Sequence, residues 1–506
     1  MVLLQKREML SSRGGMPCWG DVPPAGERGG TGVEAIKEKE LFEERPVADA
    51  ILRLAFPTVV GQIVLVIYNL ADTFFIGMTG SDAMLASVTL CLPALMFLSA
   101  ISNLFGVGGA SVISRALGCQ DRVRAGRTSA FSFWGCLFIA GLYAFGVFAT
   151  LDAFIDLLGG TDAQVHRYAA DYLMITVILG GLATSMNMLL SHLVRAEGNA
   201  LQASAGVALG GVLNIVLDPI FMFVILQPGQ EILGAALATA LSNLIAAVYF
   251  LILVLTQKKD VSALSLRFTR KALADRIPAE VFCAGLPACV MTLLENVSYA
   301  VLDKLMSLWG MQMQAGIGVA KKVNMLAHCI VRGIAQGALP LIGYNYAARN
   351  YRRMRQTVVL AAAFAVSAAC LCMGANLLLS RQFIEVFIPY GSASITYGAG
   401  FLRILCLGSP FSACAYVIIS FFQATGEGGK SFSLAILRKG VIDIPLMFLL
   451  NAVMPIYGIV WATPIADVLC CVSAAVLSAS YLGRFAETRS EKRALAVRCE
   501  ASGNGV

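Results

Sequence analysis

Charged residues are scarce in this chain, 14% of 506 residues, where a soluble domain carries about 25%. Histidine is scarcer still, with three in all. No Cys-x-x-Cys pair, no Cys…His metal spacing and no His-Glu-x-x-His occurs, which excludes zinc ribbons, redox dithiols and an intramembrane zinc protease. A prenyl-transferase chemistry would need paired Asp-x-x-x-Asp motifs for Mg²⁺. Asp152-x-x-x-Asp156 is the one near case, and it has no second motif. The first 45 residues lack the apolar core of about 7–15 residues that a secretory signal requires. Residues 1–46 therefore read as a polar, disordered cytoplasmic leader.

Apolar side chains fill the rest. Hydrophobic residues make up 58% of the chain and mean hydropathy is +0.75. Twelve apolar runs follow the leader: 50–78, 84–112, 128–150, 166–192, 201–225, 231–256, 278–307, 314–342, 357–380, 394–422, 430–454 and 457–482. Each is near the ~20 residues that cross ~30 Å of hydrocarbon. The fold class is an all-α polytopic membrane protein. Most of the 14 cysteines lie inside these runs (Cys91, Cys136, Cys283, Cys289, Cys406, Cys414) and read as small packing groups.

The net charge of +7 does not point to nucleic acid, because the basic residues sit in short loops. Arg115, Arg122, Arg124 and Arg127 follow run two. Lys258, Lys259, Arg267, Arg270, Lys271 and Arg276 follow run six. Arg349, Arg352, Arg353 and Arg355 follow run eight, and Arg484, Arg489, Lys492 and Arg493 lie in the tail. The opposite loops carry little beyond Arg167 and Arg381, and one is acidic (Asp152, Asp156, Asp162). The positive-inside rule then places both termini in the cytoplasm and the chain in the cell inner membrane.

The halves repeat. Tyr68-x-x-x-Asp72 matches Tyr299-x-x-x-Asp303, Phe154-Ile-Asp-Leu matches Phe383-Ile-Glu-Val, and Arg195-Ala-Glu-Gly198 matches Gln423-Ala-Thr-Gly426. Six runs separate equivalent positions, so the repeat is parallel, about an axis along the membrane normal. Two pseudo-symmetric six-helix lobes around a central cleft follow, 47–256 and 278–483, joined by a basic connector 257–277 and ending in a cytoplasmic tail 484–506.

Polar groups at membrane depth mark candidate sites, since an Asp at a helix centre costs about 2.5–3.5 kcal/mol to insert. Asp72 lies six residues short of the outer end of run one, Asp218 six residues short of Val224 near the outer end of run five, and Thr239 eight residues into run six. Asn214 is one helical turn from Asp218 on the same face. These four oxygen-bearing groups fit a hard cation such as Na⁺, with Asp72, Asn214 and Asp218 as ligands. Two carboxylates brought together in low dielectric also resist ionising together, which suits a proton site. In the second half, Glu295 and Arg332 reach mid-depth, and Asp443 lies one turn from Arg438 and Lys439. They read either as a structural ion-pair network or as a substrate-binding set in the cleft. Asp303, beside Lys304, and Asp467 are unassigned. Lys321 and Lys322 are expected to snorkel outward.

With these residues in order, the chain resembles the multidrug and toxic compound extrusion (MATE) transporters. The resemblance rests on Pro57 with Tyr68-Asn-Leu-Ala-Asp72-Thr, Arg195-Ala-Glu-Gly198-Asn199, and Asn214-Ile-Val-Leu-Asp218-Pro219. It also rests on Gly234-Ala-Ala-Leu-Ala-Thr239, Leu286-Pro287 through Glu295, and Gly333-Ile-Ala-Gln336-Gly337 through Asn345. It covers about residues 47–485. The resemblance implies a non-enzymatic antiporter that exports organic cations or amphiphilic drugs by alternating access. It implies a coupling ion, Na⁺ or H⁺, bound at Asp72, Asn214, Asp218 and Thr239, with no other cofactor. Glu295 matches the family's run-seven acid, while run ten carries no acid, unlike some members. Arg332 and Asp443 fall on no family motif. The expected partners are small molecules and the bilayer, with no nucleic acid, and nothing demands more than a monomer. A lipid-linked saccharide flippase shares the two-lobe plan, but the mid-depth acids oppose it.

Overall fold

The computed structural model describes residues 39–160, 162–257, 262–388 and 393–503. The leader 1–38 and the basic pair Lys258 and Lys259 lie outside the described residues, as do the side chains of the tail. The described residues are mostly helical, with no strand among them.

The first half contains α1 (Val47–Met78), α2 (Asp82–Gly118), α3 (Arg122–Ala149), α4, α5 (Ala200–Ile225) and α6 (Glu231–Thr256). Helix α4 is bent by 49° between Ala163–Leu179 and Gly181–Ala196. The second half contains α7 (Ile277–Ser307), α8 (Met311–Ala347) and α9 (Tyr351–Glu385). It continues with α10, bent by 43° between Ala393–Leu407 and Ser409–Thr425, then α11 and α12 (Tyr457–Gly503). Helix α11 runs through Gly428–Ile436, a π-helical Leu437–Asp443 and Ile444–Val453. Among the described residues nine helices are long and apolar enough to span, and the two bent ones bring the number to eleven. The twelfth, α11, is broken by the π-helical turns that carry Arg438, Lys439 and Asp443.

The repeat recurs in the backbone. Gln120 and Arg349, just before α3 and α9, both adopt left-handed geometry (φ 58° and 59°). The following Asp121 and Asn350 each accept a backbone N–H, from Arg124 and Arg353, as N-caps. Gly198 and Gly426, the matched glycines after α4 and α10, are both left-handed as well (φ 92° and 80°). Equivalent sequence positions therefore end and start equivalent helices.

The two halves meet through α2 against α7 and α1 against α8. Small residues permit this. A Cβ at Gly285 would collide with the Leu104 carbonyl, and one at Gly337 would lie 2.6 Å from the Ala55 Cα. Polar contacts cross the same interface: Gln62–Gln336 at 3.4 Å, Asn103–Thr292 at 3.0 Å, and Ser111 donating to the Gln423 carbonyl. Arg124 pairs with Glu280 at 2.6 Å and Arg127 with Asp275 at 2.6 Å. Apart from Asp275 of the connector, these lie in the helix halves nearest the basic loops, so the interface is sealed on that side.

Two segments outside the spans are more ordered than composition suggests. Residues 40–44, which the sequence groups with the leader, form a π-helical turn with Phe42 fully buried. The Phe42 ring stacks on Tyr344 at 4.7 Å, and its carbonyl accepts from Arg353 Nε at 2.7 Å. The connector is also held. Glu197 accepts from Ser262 Oγ at 2.7 Å and from the Ala263 and Leu264 amides at 2.6 and 3.1 Å.

Candidate functional site

Helix α5 packs on both α1 and α6, and α1 also touches α6. This convergence brings the four polar groups of the first half together. Asn214 and Asp218 share a face of α5 and are buried, 1% and 0% exposed. Asn214 Nδ2 donates to Asp218 Oδ1 at 3.3 Å and to Thr239 Oγ1 at 3.2 Å. Asp72 on α1 lies within electrostatic reach of Asp218, and Tyr68 and Tyr172 lie within reach of both carboxyl groups.

One feature of the cluster is chemically decisive. Asp72 Oδ1, Asn214 Oδ1 and Asp218 Oδ2 are all buried and all lack a hydrogen-bond partner among the described residues. A buried acceptor without a donor costs about 1–3 kcal/mol. Three such oxygens from neighbouring helices form a set that a cation or protons would satisfy. The residues present therefore fit a Na⁺ ion or a proton, and His and Cys are absent from the set.

The second half is arranged differently. Glu295 on α7 pairs with Arg332 on α8 at 3.0 Å. Tyr416 on α10 closes the triad: it donates to Glu295 Oε1 at 3.3 Å and accepts from Arg332 Nη2 at 3.3 Å. This triad faces a cavity of about 140 Å³ between the lobes, which Gln62, Asn103 and Arg195 of the first half also line. Asp443 does not line it. Its oxygens accept from Ser298 at 2.7 Å, Lys439 at 2.8 Å and Thr463 at 3.1 Å, and the residue is fully buried. Arg438 binds Asp467 at 2.7 Å and lies over the Tyr416 ring at 4.4 Å. These paired groups follow the structural-network reading, and a buried pair of this kind holds one geometry. Asp303 pairs with Lys321 rather than with its neighbour Lys304.

The structure thus brings Asp72, Asn214, Asp218 and Thr239 into one cluster and Glu295 and Arg332 to one cavity wall, and it sets Asp443 apart. Three residues enter that sequence reasoning did not assign. Tyr172 reaches the cluster from α4, Tyr416 completes the triad from a run without acids, and Arg195 lines the cavity. Arg195 stood in a recognised motif, but nothing in the sequence says which way it points.

Comparison with known proteins gives three findings. The MatE family model matches residues 57–220 and 287–449, so it matches twice, with starts 230 residues apart (287 less 57). The chain is 29% identical over 444 residues to a multidrug export protein, MepA, of Staphylococcus saprophyticus subsp. saprophyticus, covering 87% of this chain and 96% of that one. It is 27% identical over 437 residues to the MepA protein of Staphylococcus haemolyticus, covering 86% and 94%. Among solved structures, a MATE protein in complex with MaL6 superposes with a TM-score of 0.82 at 23% identity, covering 89% of this chain and 99% of that one. That last likeness is one of fold.

Proposed function

The chain belongs to the MatE family, and from that premise we propose that it is an antiporter exporting organic cations or amphiphilic drugs in exchange for Na⁺ or H⁺. It is a multi-pass membrane transporter and not an enzyme. On this reading it lies in the inner membrane as a monomer, with the basic loops and both termini in the cytoplasm.

The observation that carries the reading is the trio of unpartnered buried oxygens on Asp72, Asn214 and Asp218. They lie in one lobe, while the cavity lies between lobes. Ion and substrate thus have separate places, as exchange requires. Helix α1 links the two. One face carries Asp72 toward α5. Further along, Ala55, Val59 and Gln62 meet Gly337, Gly333 and Gln336 of α8. A cation entering from outside draws Asp72 toward Asp218, shifts α1, and so acts on the interface that holds the basic end shut. The membrane potential adds about 2.3 kcal/mol per charge per 100 mV to an inward-moving cation.

The test is efflux of a cationic dye from proteoliposomes under an imposed Na⁺ gradient or an imposed pH gradient. One gradient drives efflux, and Asp72→Asn abolishes that drive while the protein remains inserted. Undiminished ion-driven efflux from the Asp72→Asn protein would overturn the assignment.

A further inference from the structure

Arg195 is a buried cation without an acid. It is 4% exposed and lines the cavity between the lobes. Among the described residues its side-chain polar contact is a 3.5 Å approach of Nη1 to His192 Nδ1, and its Nε has no hydrogen-bond partner. The other charged groups of the cavity wall, Glu295 and Arg332, satisfy one another at 3.0 Å. Among the described residues the cavity therefore holds one guanidinium with no acid beside it. Arg195 lies in the last turn of α4, where the helix dipole favours a cation. That half-charge neither occupies Nε nor offsets burial of a full charge.

We propose that the cavity is an amphoteric site, in which Arg195 takes the carboxylate of a substrate whose cationic part competes with Arg332 for Glu295. The planar fork of Arg195 suits a two-oxygen anion. Glu295 suits a cation at the other end, which takes the place of Arg332 there. The preferred substrates are then amphiphiles bearing both charges, rather than cations alone. The inference deepens the export reading and rests on it for the word substrate. A lipid phosphate offers the same anionic oxygens as a carboxylate, and the experiment separates the two.

The experiment uses the full-length protein in detergent, with no gradient, and two dyes read by fluorescence anisotropy. Rhodamine B carries a carboxylate and a delocalised cation, and its ethyl ester keeps the cation alone. Arg195→Gln lowers the acid-to-ester affinity ratio about tenfold or more, the worth of one charge-assisted hydrogen bond. Arg195→Lys keeps the charge and stays within about threefold of the native ratio. The native protein carries the test even if these variants do not fold: millimolar benzoate weakens the binding of rhodamine B and leaves the ester unchanged. An unaltered ratio in Arg195→Gln, or benzoate acting on both dyes or neither, overturns the proposal. Stronger displacement by dihexanoyl phosphatidylethanolamine than by benzoate reassigns the anion to a lipid and also overturns it. Failure of export shows separately, as no efflux of either dye under either ion gradient.

Discussion

Thr239 is the member of the ion cluster that can be changed without touching a charge. Its hydroxyl accepts from Asn214 at 3.2 Å, which holds the Asn214 amide in place while its carbonyl oxygen stays unpartnered. Thr239→Val keeps the shape and removes that anchor, at about 1 kcal/mol. Efflux rates measured against coupling-ion concentration should show half-activation shifted about fivefold upward, with the maximal rate retained. Glu295 offers the opposite case. Glu295→Gln leaves the Arg332 guanidinium facing Tyr416 with no anion, and thermal unfolding should record a loss of about 1–3 kcal/mol. The double variant Glu295→Gln/Arg332→Gln should recover much of that stability but bind cationic dyes poorly. At this scale the sequence was informative where depth alone decided. Asp72, Asp218 and Thr239 could be levelled by counting residues from helix ends. Asp443 could not be placed, because counting gives depth and not azimuth. Its partners Ser298 and Thr463 lie on α7 and α12.

Elements were legible in number and less so in shape. Length and apolarity mark the spans, but a kink is set by packing. Nothing in Met174–Leu179 or Leu437–Asp443 distinguishes π-helical turns from ordinary ones in advance. In α11 those extra residues turn Arg438, Lys439 and Asp443 inward, which explains how three charges fit inside a spanning helix. The glycines of α8 carry an element-scale prediction. Gly337 meets the Ala55 backbone, so Gly337→Leu must push α8 from α1. Overpacking of this kind costs about 1–3 kcal/mol. The variant should unfold at lower temperature and export poorly. Gly374 of α9 faces open space, and Gly374→Ala should be neutral or stabilising by up to about 1 kcal/mol in the same assay.

At the scale of the whole molecule, the repeat announced two lobes, but not which side of the interface would be shut. That depends on pairings between distant residues, such as Glu280 with Arg124 across the lobe boundary, and single-sequence patterns do not encode them. Glu280 accepts from Arg124 at 2.6 Å and approaches Arg115 at 3.9 Å, with side-chain exposures of 17%, 21% and 7%. Three charges so little exposed are screened weakly, so this knot is worth more than a surface pair. It bridges the two lobes at the closed basic end. Glu280→Gln removes the anion and leaves two arginines facing each other, which disfavours the closed state alone. A bias of about 1.4 kcal/mol moves the equilibrium tenfold. Spin labels at Gln120→Cys and Arg349→Cys, in a background without native cysteines, report the separation of the two equivalent loops. Both positions are exposed and follow α2 and α8, one in each lobe. The parent distance distribution should hold a dominant short component, and Glu280→Gln should transfer population to a longer one. The ion cluster, built entirely within the other lobe half, should keep its affinity for the coupling ion in the closed molecules. A distribution unmoved by Glu280→Gln would place the seal instead in the apolar contacts of α1 with α8, where Gly337→Leu acts.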